Sequence, residues 1–174
     1  TSAESFANAV YELNYTSSSS GAVDVSGNVQ YVSDGLLSYG ESPGADATLQ
    51  IAYSFPGSAV LDLTGYSDFY FDVTYIDGSG GFDILLTLVD GDGTAISASY
   101  NITSTGIFLA SLTSMMPGSD FDFTQVASAT ALISSVGLGD DFSLDSVGLV
   151  PAPTTLTLLG LGLLGLGLRS RKII

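Results

Sequence analysis

Three stretches of this chain alternate apolar and polar residues with a period of two, and no stretch before residue 150 repeats like a strong amphipathic helix. Leu49, Ile51, Tyr53 and Phe55 alternate with Thr48, Gln50, Ala52 and Ser54. Phe69, Phe71, Val73 and Tyr75 alternate with Tyr70, Asp72 and Thr74, and Phe82, Ile84, Leu86 and Leu88 with Asp83, Leu85, Thr87 and Val89. Successive side chains of a strand point to opposite faces, so each stretch reads as a strand with one face buried. The Asp-Gly-Ser-Gly-Gly run at 77–81 is turn chemistry and predicts an antiparallel hairpin between the second and third stretches. Asp90-Gly91-Asp92-Gly93 is a second turn, leading into a strand at 95–102, and further strands are expected at 60–63, 107–112, 127–134 and 142–150. Residues 1–20 are ambiguous, because Phe6, Val10 and Leu13 have helical spacing while Val10, Tyr11, Leu13 and Tyr15 form a β-friendly run. Strands about 8–12 residues apart with Gly and Asp turns predict an all-β, antiparallel β-sandwich of the jelly-roll type. A parallel α/β fold is excluded, since its crossovers need helices.

Composition narrows the chemistry. His, Cys and Trp are absent from the 174 residues, which excludes Ser-His-Asp and Cys-His nucleophiles, His-ligated metals, zinc fingers and thiol redox sites. Eighteen Asp and Glu face three cations, and all three cations lie in the last six residues: Arg169, Arg171 and Lys172. The net charge of −15 is therefore an outer part at −18 and a tail at +3. Such a surface repels phosphate backbones, so no nucleic-acid partner is expected. It also lacks the Lys or Arg that clamps anionic substrates, and no acid pair stands out for glycoside hydrolysis, so no catalytic residue and no enzyme activity are expected. Nine Phe and nine Tyr supply a core without disulfides.

The sequence changes character at Val150-Pro151-Ala152-Pro153. Residues 154–168 are almost wholly Leu and Gly, including Leu156, Leu158, Leu159, Gly160, Gly162, Gly165, Gly167 and Leu168, and the basic cluster follows. This resembles the PEP-CTERM sorting signal of Gram-negative bacteria: a Pro-Glu-Pro motif, an apolar helix and a terminal basic cluster. The resemblance implies export and processing by exosortase, a membrane-embedded cysteine protease; Ala152 stands where the family usually has Glu. As a helix, 154–168 would span about 22 Å, short of the roughly 30 Å hydrocarbon core, a gap that snorkelling of the three cations could close. The positive-inside rule places those cations in the cytoplasm and the acidic domain outside. The division expected is an N-terminal segment at 1–20, a sandwich domain at 21–150, a Pro-rich linker at 151–153, a hydrophobic helix at 154–168 and a basic tail at 169–174. A start at Thr1-Ser2-Ala3 without Met fits a signal peptide already removed.

The run from Leu61 to Val73, the Asp/Gly turns and the closing Phe142-Ser143-Leu144-Asp145-Ser146-Val147 resemble the galactose-binding-type jelly roll of carbohydrate-binding modules. That resemblance implies a structural calcium at Asp145, with Glu12 or Asp24 as the early partner. Hard oxygen ligands favour calcium over any other metal here. Asp90 and Asp92 open a loop like a calcium loop, Asp77 and Asp140-Asp141 are further acids, and Asp-Gly is equally plain turn chemistry. Tyr66, Tyr70 and Tyr100, with Tyr31 and Tyr39, are the candidate sugar platforms. The expected function is a secreted cell-surface or extracellular-matrix structural protein, self-associating or bound to matrix polysaccharide. The alternatives are a filament subunit whose helix lies in the assembly, and a carbohydrate-binding module.

Overall fold

Among the described residues ten strands form two five-stranded antiparallel sheets packed face to face. The computed structural model describes residues 10–17, 23–27, 37–41, 47–55, 60–77, 80–115, 120–135 and 140–153. In chain order the strands are β1 (Val10–Ser17), β2 (Val23–Gly27), β3 (Leu37–Glu41), β4 (Ala47–Ser54) and β5 (Tyr66–Asp77). They continue with β6 (Phe82–Asp90), β7 (Ala95–Ile102), β8 (Gly106–Ser111), β9 (Val126–Ser135) and β10 (Asp141–Pro151), with a 3₁₀ turn at Leu112–Met115. The first sheet has the order β1-β4-β9-β6-β7 and the second β2-β3-β10-β5-β8. Non-consecutive neighbours in both sheets mark a sandwich whose chain crosses repeatedly between layers.

The alternation read from the sequence builds the core. Leu49 and Ile51 of β4, with Ile84, Leu86 and Leu88 of β6, are buried from the first sheet. Phe69, Phe71 and Val73 of β5, with Leu144 and Leu149 of β10, meet them from the second. Phe142 stacks between Tyr39 and Phe82, with ring centroids 5.0 and 4.6 Å away, and ties β3, β10 and β6 together across the layers. Fully burying a side chain of this size contributes about 1.5–3 kcal/mol.

Several expectations need correction. The second and third alternating stretches do not form a hairpin: β5 pairs with β10 and β8, and β6 with β9 and β7. Both stretches bury an apolar face, and the sandwich satisfies them by placing one in each layer. The connection between them ends at Gly81, whose φ of 71° and closeness to the Ile102 carbonyl leave no space for a Cβ. β6 instead forms its hairpin with β7, across the 90–94 turn. The strand expected at 60–63 reduces to one bridge between Leu61 and Val126. Residues before the boundary drawn at 21 contribute β1, paired with β4 from Val10↔Ser54 to Ser17↔Ala47. Pro151, placed in a linker from sequence, ends β10 opposite Tyr66, and the Ala152 N–H donates to the Gly65 carbonyl at 2.9 Å. The hydrophobic helix at 154–168 and the basic tail lie outside the described residues, and no described helix is long and apolar enough to cross a membrane.

Candidate ligand-binding face

Between the sheets there is room for about one water. The gap lined by Ile51, Phe71, Leu86 and Val147 measures about 20 Å³, whereas hollows of about 220–250 Å³ open at the surface among the described residues.

The outer face of the second sheet is shaped by a pair of bulges. Along β5 and β10 the register runs Ser143↔Tyr75, Leu144↔Val73 and Ser146↔Asp72. Thr74 is thus an extra residue on β5 and Asp145 an extra residue on β10, and the two insertions cancel within one step. Each bulge reverses the side-chain alternation beyond it. Phe69, Phe71 and Val73 point inward, and simple alternation would bury Tyr75 with them. After the bulge Ile76 takes the inner position opposite Phe142, and Tyr75 turns out to 49% exposure.

Tyr75 stands beside Ser143 of β10, whose hydroxyl lies 3.2 Å from that of Ser38 on β3. The Tyr75 hydroxyl donates to Asp77 at 3.4 Å, and Asp141 pairs with Asp77 across the strands. The Asp77 charge beside it, helped by partial desolvation, raises the Tyr75 hydroxyl above the usual tyrosine range. Gly40 supplies no side chain at 3.2 Å from the Asp141 carboxylate, which keeps the depression between β3 and β5 open. Its volume is about 240 Å³, lined by Ser38, Gly40, Tyr75, Asp141 and Ser143. Further along β5, the Tyr70 ring lies flat across Gly148: a Cβ there would sit 2.5 Å from the ring. Asp72, between the two tyrosines, has its outward register beside Ser146. The face therefore offers two aromatic rings, hydroxyls and carboxylates, with no cation among the described residues. This is chemistry for a neutral polyhydroxylated ligand, whose hydroxyls donate to carboxylates and whose apolar ring faces lie on tyrosines.

The other sequence candidates fall elsewhere. Tyr100 faces inward on β7, edge-on to Phe108 at 5.7 Å, with its hydroxyl donating to the Ser111 carbonyl at 3.1 Å. Tyr39 is buried under Phe142. Tyr66 is half-buried at the opposite end of the sheet, in an apolar hollow with Leu63, Leu112 and Phe123. Tyr31 lies outside the described residues. Among the described residues only Tyr70 of the expected tyrosines reaches the outer face, and Tyr75, the better exposed one, was missed because its alternation reads as core.

The acids expected at a metal separate as well. Among the described residues no three His, Cys, Asp or Glu gather where they could hold a metal ion. Asp90 is buried, and its carboxylate accepts the N–H groups of Asp92, Thr94 and Asp122 at 3.1, 2.8 and 3.0 Å. The Asp122 N–H, then those of Thr94 and Asp92, holds its carboxyl below the usual range against the opposing effect of burial. The 90–94 loop is thus closed by its own backbone, and Asp92 is exposed on its outside. Backbone register sets Asp24 opposite Gly40, beside Asp141 and about 13 Å along the strand from Asp145. Glu12 is in the other sheet, opposite Ala52. Neither backbone position adjoins Asp145, so the pairs expected for calcium are not brought together by the strand register.

β10 ends at Pro151, inside the segment that joins the sandwich to the tail. Residues 149–172 match the PEP-CTERM protein-sorting motif. The match spans the Pro-containing segment, the Leu/Gly run and the basic cluster, so the tail carries a sorting signal. The search of curated proteins finds no match for the chain. Solved structures do resemble it. CtCBM11, known from a study of its solution structure, dynamics and binding, is 16% identical, with 85% of this chain and 93% of that one covered at a TM-score of 0.54. An exo-β-agarase is 13% identical, with 84% of this chain but 24% of that one covered at 0.52. The family 11 carbohydrate-binding module of a cellulosomal cellulase of Clostridium thermocellum is 15% identical, with 80% and 88% covered at 0.48. At these identities the likeness to the two above 0.5 shows the fold alone, an antiparallel jelly-roll sandwich shared with CtCBM11.

Proposed function

We propose that this chain is an exported, non-catalytic module of the cell envelope or extracellular matrix that binds neutral polysaccharide on the outer face of the second sheet. The observation that carries the reading is the bulge pair that turns Tyr75 outward beside Ser143, Ser38, Asp77 and Asp141. The absence of cations from residues 1–168 sets the ligand class, since anionic glycans would be repelled. The sorting signal supports export, and its position supports the orientation. Asp141 and Pro151 are the two ends of β10, about 33 Å apart. The Tyr75 corner therefore faces away from the end where the tail departs, and presents itself to matrix rather than to membrane.

The test is retention of the full chain in native gels containing a β-glucan, a galactan or a mannan, with a polyuronate as the anionic comparison. Tyr75→Ala should weaken binding to the retained polymer about tenfold, the worth of one aromatic contact. If none of the neutral polymers retards the chain, or if Tyr75→Ala leaves retardation unchanged, the proposal fails.

A further inference from the structure

β8 is an edge strand without the usual protection. Among the described residues it pairs only with β5, and its other edge has no strand partner. Natural edges are guarded by charges, prolines or bulges. The six residues Gly-Ile-Phe-Leu-Ala-Ser of β8 contain no charge and no proline, and their register with β5 is unbroken. Its outward side chains, Ile107 and Leu109, are 68% and 50% exposed, the two most exposed large apolar residues described. Residues 93–119 hold no charged residue, in a chain at −15, and the acids beside β8 are Asp72 and Asp68, one strand inward on β5 opposite Ile107 and Ser111. The edge β7, joined to β8 through the contact between Tyr100 and Phe108, is also uncharged but exposes Ala95, Ser97, Ser99 and Asn101 rather than large apolar groups. The remaining edges, β1 and β2, contain Glu12 and Asp24.

We infer that β8 is a self-association edge: two copies pair β8 with β8, antiparallel about a twofold axis, and their second sheets join into one. Charge selects a second copy as the occupant. Two copies repel over most of their acidic surface, and this uncharged edge is where they can approach without opposing carboxylates. Antiparallel pairing of a strand with itself is self-complementary, as a twofold interface requires. Directly opposed residues share a face, so a register that sets Leu109 opposite Leu109 or Ile107 of the second copy gathers the four apolar side chains into one strip. Six residues extend about 20 Å, and an edge about 10 Å high covers about 200 Å² over that length, well short of the roughly 800 Å² per partner of a stable complex. The dimer is accordingly weak and reversible, and is favoured where the sorting tail concentrates the chain at a surface.

The experiment is sedimentation equilibrium of the full chain in excess non-ionic detergent, so that the tails are dispersed singly. The wild-type chain should dimerise below about 1 mM, and Ile107→Lys/Leu109→Lys should weaken association about a hundredfold or more. Leu85→Lys, on the outer face of the first sheet, should leave it unchanged. Unfolding midpoints of all variants should match, because each substituted side chain is exposed. A second measurement needs no lysine: in this cysteine-free chain, Leu109→Cys should cross-link under mild oxidation much faster than Leu85→Cys. A chain that stays monomeric up to about 1 mM, association indifferent to the β8 lysines, or equal cross-linking rates overturns the inference.

Discussion

Gly148→Ala tests whether the outer face is built as described. Gly148 lies on β10 directly opposite Tyr70, and its φ is not positive, so alanine suits its backbone. Replacing a strand glycine by alanine at a compatible position stabilises by about 0.5–1 kcal/mol, through the unfolded state. The new Cβ, however, would lie 2.5 and 2.8 Å from two ring carbons of Tyr70, where carbon contacts prefer about 3.5–4.0 Å. The ring has to move by about 1 Å, and overpacking of that kind costs about 1–3 kcal/mol. The ring is half-buried and can lift toward solvent, which places the cost near the lower end. Gly148→Ala should therefore destabilise by about 1 kcal/mol in the native background. With Tyr70→Ser already present nothing occupies the space, and the same substitution should stabilise by about 0.5 kcal/mol. The four chains of this cycle, compared by urea denaturation, should show a coupling of about 1–2 kcal/mol and a change of sign. If Gly148→Ala has the same effect in both backgrounds, the ring does not lie across Gly148 and the platform is misplaced.

Other consequences concern titration and truncation. The carboxyls of Asp90, Asp122 and Asp62 are held low, Asp90 by backbone N–H groups and the other two by the hydroxyl and N–H of Thr124 and Thr64. A depressed carboxyl stabilises above its unfolded pKa and loses that contribution as pH falls through the folded value. The urea midpoint should thus fall below about pH 4, and Asp122→Asn should flatten the fall; an unaltered acid limb would contradict these bonds. Tyr75 should ionise at higher pH than an ordinary tyrosine, and Asp77→Asn should bring it down, as followed by phenolate absorbance. Any stability tied to its neutral form is present below the ordinary tyrosine pKa and lost as pH rises through the raised value. Truncation after Pro153 should leave the unfolding midpoint unchanged, because every described strand ends at or before Pro151; a large fall would mean that the tail is part of the fold.

The layers were legible wherever alternation was long and apolar, as in β4, β6 and the first half of β5. Partnering was not, because period two says which face is buried but not which strand lies alongside. β5 and β6 look like a hairpin for that reason, and only the need to bury both inner faces separates them. β2 and β3 were missed because Val-Asp-Val-Ser-Gly and Leu-Ser-Tyr-Gly-Glu are too short and polar to show a period. The site was hidden by the same rule that revealed the core. Tyr75 continues the pattern of Phe69, Phe71 and Val73, and only the extra residue Thr74 turns it outward. A bulge has no composition of its own here, since neither Thr74 nor Asp145 is a glycine or proline. The sorting signal, by contrast, was readable, because its parts follow one another in sequence without help from the fold.

The most direct test of the account is amide chemical-shift mapping of the isotopically labelled chain during titration with neutral oligosaccharides from the polymer that retards it most. Perturbations gathered on Ser38, Gly40, Tyr70, Tyr75 and Ser143, and reduced in Tyr75→Ala, are the predicted result. Perturbations confined to the first sheet, or no saturable shifts with any neutral oligosaccharide, would contradict it.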